Sequence, residues 1–303
     1  MKLGQVAAKA VGLGNPSVLL AVTLLCISTA AMYGQGGIAF WETPAAKQEA
    51  MLSQVPADDA GRLAALRRYF IDAGCMGDHL TEQPLDPPGK PGGKKKRRAP
   101  ANLVCTLPGE SAQAVVVAVW YPEHSLYGGV TRGWPEAVAL PMLYRALRAQ
   151  PRRFTFVLAE LSGDEGERVF LTSLADGTQG SVLCLVGLDA LGVGDPQFYS
   201  VPRKQVPSAG WPVMDTLERE ALRIAQLQGY GLLQQYLQAM GPMKRSIYPN
   251  KLIDAARDMP RVLVYSGFRM AATPAAFRQD FDFTAYYLCA IDRQLNRDAP
   301  APR

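Results

Sequence analysis

Four long apolar runs, separated by stretches with helical periodicity, restrict the folds that this sequence can adopt. The runs are AQAVVVAVWY, RRFTFVLAEL, SVLCLVGLDALG and MPRVLVYSGF. A strand that is apolar along its whole length is buried on both faces, and parallel strands need a crossover that is usually a helix. The pattern therefore predicts an α/β fold, a three-layer α/β/α sandwich with a mainly parallel mixed sheet.

The segments around these runs supply the remaining elements. In DDAGRLAALRRYFIDAGC the apolar residues have helical spacing, with Asp58 or Asp59 placed to cap the helix and Gly74 to end it. HLTEQPL and NLVCTLPG are predicted as strands, and VGDPQFY is predicted as a loop. The other predicted helices are PEAVALPMLYRALRA, RVFLTSLADG, Asp215 to Met240, and the stretch through TAYYLCAIDRQL.

The N-terminal segment contains no charged residue between Lys9 and Glu42. Its apolar run, SVLLAVTLLCISTAAMY extended by GGIAFW, reaches the roughly 20 residues that a membrane-spanning helix needs. Because two lysines precede the run, we expect residues 1–41 to form a single-pass anchor, with the N-terminus cytoplasmic and the main domain extracytoplasmic. The alternatives are a soluble core helix and a cleaved signal peptide, for which Ser28-Thr29-Ala30 has the required small residues.

A polar linker is predicted at residues 42–56, followed by the α/β domain at 57–303. Within the domain, DPPGKPGGKKKRRAP (86–100) is too rich in proline, glycine and like charges to pack. This basic loop is either a solvated hairpin tip or an electrostatic patch for anionic lipid, glycan or an acidic protein. Outside it the basic residues almost equal the 27 acidic ones, which argues against nucleic-acid binding. The charged residues of the patch include Lys94, Lys95, Lys96, Arg97 and Arg98.

The five cysteines are scattered and form no C-x-x-C pair. This spacing indicates neither a zinc ribbon nor a disulfide framework. Cys105 and Cys184 lie inside apolar runs, where we expect them to act as small buried hydrophobic residues.

Six phrases follow one another along the chain: ANLVCTLPG, VVVAVWYPEH, YGGVTRGWPEAVALPMLYRAL, FTFVLAELSGDEGERVFL, GLDALGVGDP and PNKLIDAARDMPRVLVYSGF. In this order they resemble the zinc-dependent exopeptidase family that includes bacterial leucyl aminopeptidases and glutaminyl cyclases. The resemblance covers nearly the whole chain after the N-terminal segment. It implies the fold of that family for the domain.

The resemblance also implies a site, in which two zinc ions are held by His, a bridging Asp, Glu, Asp and His, with a second Glu as general base. Carried over by position, Trp120 stands at the first histidine, and an indole cannot bind a metal. Thr131 stands at the bridging carboxylate, with Arg132 beside it, where a guanidinium opposes a dication. The last histidine falls near Asn250 or Lys251. Most of the family's ligand set is therefore replaced, and we expect no metal cofactor.

A rearranged zinc site is the alternative to complete loss of the metal. Asp189 stands at a ligand position of the family, and Asp164 and Glu165 align with the paired glutamates at a spacing about two residues longer. Together with Glu123 and His124, these side chains are the candidate ligands and catalytic groups of such a site. In that case the chain is an active metal-dependent aminopeptidase or hydrolase.

The preferred hypothesis is a catalytically inactive, membrane-tethered peptidase-like domain. We expect it to serve as a binding or scaffold subunit of a bacterial envelope assembly, as the resemblance implies for relatives that lack metal ligands. The former cleft is predicted to hold a protein or peptide partner through stacking side chains and a carboxylate-binding guanidinium. The predicted binding residues of the cleft are Trp120, Tyr121, Arg132 and Trp134.

Overall fold

The computed structural model describes residues 43–85, 101–121, 133–176, 181–231, 259–266 and 273–295, together with Ala256 and the backbone of 126–127 and 130–131. The predicted N-terminal anchor and the basic loop lie outside the described residues. From Thr43 onward, none of the described helices has the length and apolar character that a membrane crossing requires.

The described chain alternates helices and strands after an initial helical pair. The helices are α1 (Ala45–Ser53), α2 (Asp59–Ala73), α3 (Trp134–Arg148), α4 (Gly163–Ala175), α5 (Trp211–Gln228) and α6 (Pro274–Gln294). The strands are β1 (Leu80–Pro84), β2 (Ala101–Leu107), β3 (Ser111–Tyr121), β4 (Leu126–Tyr127), β5 (Val130–Thr131), β6 (Phe154–Ser162), β7 (Val182–Asp189), β8 (Pro196–Ser200) and β9 (Arg261–Ser266).

Seven of these strands form one mixed sheet in the order β1-β2-β6-β3-β7-β9-β8, and β4 pairs with β5 separately. The four central strands, β6, β3, β7 and β9, are parallel. The pairs β1–β2, β2–β6 and β8–β9 are antiparallel. The predicted α/β fold with a mainly parallel central sheet is confirmed.

Helices cover both faces of this sheet. On one face α2 packs against α3, α3 against α6, and α6 against α5. On the other face lies α4. Its position is shown by the Asn102 side-chain amide in β2, which donates to the carbonyl of Gly166 in α4 at 2.7 Å. Cys105, three residues further along β2, points to the first face, where it is bonded to Cys75 at the end of α2. These contacts establish three layers.

The parallel strands give the sheet two different ends, which we call the amino end and the carboxyl end. β3, β6, β7 and β9 all run from the first to the second. β2 runs the other way, so that Ala101 lies at the carboxyl end. Ala101 pairs with Pro84, whereas Leu80 pairs with Cys105 nearer the amino end. The loop between β1 and β2 therefore leaves and re-enters the sheet at the carboxyl end.

The predicted caps of α2 are confirmed. Asp58 accepts a hydrogen bond from the Gly61 amide at 2.7 Å, which satisfies one of the free N–H groups of the first turn. Gly74 ends the helix with φ of 98°, in the left-handed region that glycine adopts without strain.

Two segments have more secondary structure than the sequence predicts. The predicted linker contains α1, in which Met51 is buried and its carbonyl accepts from the Trp134 indole at 2.9 Å. The predicted VGDPQFY loop contains β8, an outer strand of five residues whose burial alternates. The helix and the strand were not predicted because neither segment is long enough to show a clear hydrophobic period.

The cysteine prediction was also wrong in part. Cys75 and Cys105 form a disulfide across a sequence separation of 30 residues. Cys184 is a free and buried thiol, as predicted. Cys105 is buried among apolar residues, as predicted, and is also disulfide-bonded, which was not predicted.

Candidate functional site

The carboxyl end of the sheet is the position at which this topology places a site. The chain leaves β3 through α3 to reach β6 on one side, and leaves β6 through α4 to reach β7 on the other side. Adjacent connections in opposite directions open a crevice outside the carboxyl ends of the strands. Tyr121, Ser162, Asp189 and Ser266 end the four central strands there.

Two buried carboxylates fix the loop that follows β7. The Leu191 amide donates to Glu136 Oε1 at 3.0 Å, and Glu136 lies in the first turn of α3. The Gly192 amide donates to Asp280 Oδ2 of α6 at 2.6 Å, and the Ser266 hydroxyl donates to the same oxygen. These bonds hold the loop between two helices and β9.

The same loop contains backbone strain. Ala190 has φ of 51°, in the left-handed region that non-glycine residues rarely occupy. Conformations of this kind persist where the surrounding contacts enforce them. Here the enforcing contacts are the hydrogen bonds of Leu191 and Gly192 to the two carboxylates.

Burial alters the titration of the carboxyl groups in this region. Burial raises the pKa of Asp280 to about 7, although the hydrogen bonds from Ser266 and Gly192 act in the opposite direction. Burial also raises the pKa of Glu160 in β6 well above its ordinary value. Neither oxygen of Glu160 has a hydrogen-bond partner among the described residues. Both groups are therefore held in surroundings that favour the neutral acid.

The structure corrects two of the predicted cleft residues. Tyr121 is 3% exposed and faces α2, where burial first and the charge of Glu160 second raise its pKa. Trp134 is 2% exposed, and its indole donates to the Met51 carbonyl. Trp120 precedes Tyr121 in β3 and therefore points to the opposite face of the sheet, where it is half-buried. Tyr121 and Trp134 are core residues that do not line an open cleft.

The predicted catalytic and metal-binding carboxylates that the structure describes lie on two different elements, α4 and β7. Asp164 and Glu165 lie in the first turn of α4. Glu165 accepts from Arg168 Nε at 3.0 Å, a hydrogen bond that lowers the pKa of this exposed carboxyl. Asp189 is half-buried at the end of β7. The predicted site residues outside the described part of the chain are Glu123, His124, Arg132, Lys94, Lys95, Lys96, Arg97 and Arg98.

The described residues do not fit a zinc ion. Structural and catalytic zinc sites use three or four nitrogen, oxygen or sulfur side-chain ligands. Within the described residues, no three His, Cys, Asp or Glu side chains form a group that could hold a metal. At the carboxyl end, Glu136 and Asp280 accept main-chain amides instead.

Sequence reasoning missed the four buried polar residues at this end of the sheet, which are Glu136, Glu160, Ser266 and Asp280. Glu160 had a visible signal, because it interrupts the apolar run FVLAEL. Asp280 had a similar signal, since it has helical spacing with Phe277, Phe283 and Thr284, which are buried in α6. The pairing of Asp280 with Gly192 spans 88 residues and has no local signal.

Comparison with known proteins identifies the fold. No protein-family model and no curated protein matches the sequence. Among solved structures, the glutaminyl cyclase of Fimbriiglobus ruber superposes with a TM-score of 0.56 at 12% identity, over 82% of this chain and 93% of that one. A putative zinc-dependent exopeptidase of Bacteroides vulgatus superposes with a TM-score of 0.56 at 11% identity, over 84% of this chain and 98% of that one. A leucine aminopeptidase precursor of Bacteroides thetaiotaomicron superposes with a TM-score of 0.56 at 12% identity, over 85% of this chain and 99% of that one.

These likenesses define the class of fold. The chain has the fold of zinc-dependent exopeptidases and glutaminyl cyclases. The resemblance drawn from the six sequence phrases is confirmed at this level.

Proposed function

We propose that this chain is a catalytically inactive, membrane-tethered peptidase-like domain that serves as a binding or scaffold subunit of a bacterial envelope assembly. The observation that carries the proposal is the use of the carboxylates at the carboxyl end of the sheet. Glu136 and Asp280 accept main-chain amides of the loop after β7, and Glu165 accepts Arg168. Groups used in this way support the fold and are not gathered around a reacting atom.

The disulfide supports the proposed compartment. Cys75–Cys105 joins α2 to β2 inside the domain. Disulfides of this structural kind persist in oxidising compartments such as the periplasm and are rare in the cytosol. This agrees with a single-pass anchor at residues 1–41 that leaves the domain outside the cytoplasm.

The partner-binding surface in this proposal is the carboxyl end of the sheet. Pro84 and Ala101 pair there, so that the basic loop is attached beside the crevice. The loop would attract an acidic protein segment over a distance of about a Debye length, roughly 8–10 Å at physiological salt. Trp120 and Arg132 remain the proposed side chains of the cleft itself, because Tyr121 and Trp134 are buried.

Metal analysis of the purified chain tests the absence of catalysis. We expect far less than one zinc per chain after exposure to zinc and removal of the excess. Addition of a chelator should leave the melting temperature unchanged, since no folding energy comes from a metal. Asp189→Ala should not alter the zinc content, and neither should Asp176→Ala, an exposed carboxylate at the end of α4 that serves as the matched control.

The opposite result would favour the alternative function. Zinc bound at close to one ion per chain, lost in Asp189→Ala and retained in Asp176→Ala, would indicate a rearranged site. Aminopeptidase activity that follows the same pattern would then make the chain an active hydrolase that uses Glu123, His124, Asp164, Glu165 and Asp189.

A further inference from the structure

We propose that the amino end of the sheet is a lipid-contact surface, on which the domain rests against an anionic membrane. The inference rests on the membrane tether of the proposed function and goes beyond it, because it assigns an orientation and names the side chains that touch lipid. Three independent features converge on this end: the entry of the N-terminal segment, exposed apolar side chains, and a cavity lined by arginines.

The first feature is the place at which the described chain begins. Lys47, in the first turn of α1, forms a salt bridge of 3.4 Å with Asp72 in the last turn of α2. The end of α2 lies toward the amino end, because Cys75 is bonded to Cys105 and the Ala73 carbonyl accepts from Arg148 at 3.3 Å. The long uncharged segment before Glu42 therefore joins the domain near the amino end.

The second feature is the distribution of exposed apolar side chains. Among the described residues, the large exposed ones are Met76 (58%), Trp211 (42%), Ile71 (41%) and Leu227 (41%). Ile71 and Met76 flank the end of α2. Trp211 starts α5 directly after Gly210, which packs against Pro260 immediately before β9. Three of the four therefore lie at the amino end, and Leu227 lies 16 residues further along α5, about 24 Å away.

The third feature is a cavity of about 550 Å³ at the amino ends of β3 and β6, lined in part by Arg152, Arg153 and Arg293. Arg152 donates to the carbonyls of Leu147, Gln150 and Pro108, so its guanidinium is held in place. Its positive charge partly offsets the partial negative charge at the C-terminal end of α3. The carboxylates in the lining are Glu110 and Asp292. Asp292 accepts the main-chain amides of Arg153 and Phe154. The side chains of the lining therefore carry three positive and two negative charges.

The arrangement suits a flat anionic surface. The two apolar groups lie beside β2 and β9, which are four strand spacings apart in the sheet. At about 4.8 Å per spacing this separation is roughly 19 Å, with the arginine-lined cavity between them. Exposed Met, Ile and Trp side chains insert at the boundary between headgroups and acyl chains. Guanidinium groups bind phosphate oxygens with charge-assisted hydrogen bonds. The phosphates in question are those of anionic phospholipid headgroups, and the carboxyl end then faces away from the membrane.

Quenching by lipid-borne nitroxides tests this orientation in the full chain reconstituted into vesicles of phosphatidylcholine and phosphatidylglycerol. An environment-sensitive fluorophore is attached at Met76→Cys or, as the matched control, at Leu227→Cys. The parent chain, labelled in parallel, gives the background from its own cysteines. We expect quenching at position 76 to be at least about threefold stronger than at position 227, since interfacial side chains lie within 5–10 Å of the headgroup boundary.

The arginines are tested in the same vesicles. Arg153→Gln with Arg293→Gln should abolish the extra quenching that phosphatidylglycerol produces at position 76, whereas Arg219→Gln on α5 should preserve it. Equal quenching at positions 76 and 227, in a chain that resists alkaline extraction, would overturn the orientation and leave the tether intact. A chain that alkaline extraction releases would overturn the tether and the orientation together. Stronger quenching at 76 that is identical without phosphatidylglycerol would overturn the role of the arginines.

Discussion

Asp280 and Glu160 are buried acids that differ in hydrogen bonding, since Asp280 accepts two hydrogen bonds and Glu160 accepts none from the described residues. Asp280 accepts an amide and a hydroxyl, so its carboxyl group joins α6 to the loop after β7 and to β9. Glu160 lies between Leu103 and Val119 in the sheet with no hydrogen-bond partner among the described residues. A buried polar group without a partner costs on the order of 1–3 kcal/mol. Asp280 therefore contributes order to the structure, and Glu160 reduces its stability.

The titration of Asp280 predicts a pH-dependent stability. Its folded pKa, about 7, lies above the ordinary 3.8. The contribution of the neutral Asp280 carboxyl group to the free energy of unfolding is therefore fully present below about pH 4. It is lost as the pH rises through 7. At about 1.4 kcal/mol per pKa unit the loss approaches roughly 4 kcal/mol. Urea unfolding at pH 4 and pH 8 should show that Asp280→Asn lacks this decline.

The control for this measurement is Asp176→Asn, which changes an exposed carboxylate. It should follow the wild-type decline between the two pH values. If Asp280→Asn declines as steeply as the wild type, the carboxyl group of Asp280 does not titrate in the way that its burial implies.

At the residue scale, local chemistry could be predicted and distant pairing could not. Asp58 or Asp59, and Gly74, were predicted as the caps of α2 because capping depends on neighbours within one helical turn, and the structure uses Asp58. Tyr121 and Trp134 were misplaced because both follow or precede glycine- and proline-rich loops that look exposed in sequence. Their burial depends on α2 and α1, which are far away along the chain.

At the element scale, α1 shows how a short helix is held by tertiary contacts. It has nine residues and its N-cap Pro44 makes no side-chain cap bond. Isolated helices of this length are marginal in water. Met51 is buried in the core, and its carbonyl accepts the Trp134 indole. The helix therefore depends on tertiary contacts, among which the one with α3 satisfies a carbonyl of its last turn.

Trp134→Phe tests this dependence. The variant removes the indole N–H and leaves the Met51 carbonyl without its donor, at a cost of about 1–3 kcal/mol. We expect faster amide hydrogen exchange throughout Ala45–Ser53. Trp211→Phe also removes an indole hydrogen bond, to the Val206 carbonyl at 3.2 Å, but at a 42% exposed site where water replaces it. Equal exchange of α1 in both variants would contradict the proposed support.

The strongest elements were predictable because several signals agreed. β3, β6, β7 and β9 combine apolar runs, β-branched residues and flanking helices, and all four appear in the sheet. β8 was missed because it begins with Pro196 and is paired on one side only, so its burial alternates over just five residues. In such a strand tertiary pairing decides the structure, and propensity does not.

At the scale of the whole molecule, the disulfide links the helical layer to the sheet. It joins the end of α2 to β2 and closes a loop across 30 residues. In the chain-entropy account, such a cross-link stabilises the fold by about 3–4 kcal/mol because it restricts the unfolded chain. We expect the double variant Cys75→Ser/Cys105→Ser to lose stability of this size in urea unfolding.

A reducing agent separates this effect from the loss of packing. Under reduction the wild type should lose a similar amount, and the double variant should not respond. Cys184→Ser changes a buried free thiol and should leave the response to reduction intact. Identical unfolding of the wild type with and without reduction would show that the two sulfurs are not bonded.

The fold could be predicted from the order of six phrases, whereas the site could not be completed. Trp120 and Asp189 lie at or next to the ends of β3 and β7, within the predicted apolar runs, whereas their roles in a site stay predictions. The roles of Glu136 and Asp280 depend on contacts across 55 and 88 residues. Contacts of this range have no period or motif in a single sequence.

The two outer strands of the sheet share one feature. β1 ends with Pro84 and β8 begins with Pro196, and each strand has only five residues. Proline lacks the N–H that a neighbouring strand would accept, and short outer strands offer few free main-chain groups. When many copies are crowded together, these strands therefore resist the sheet-to-sheet joining that leads to aggregation.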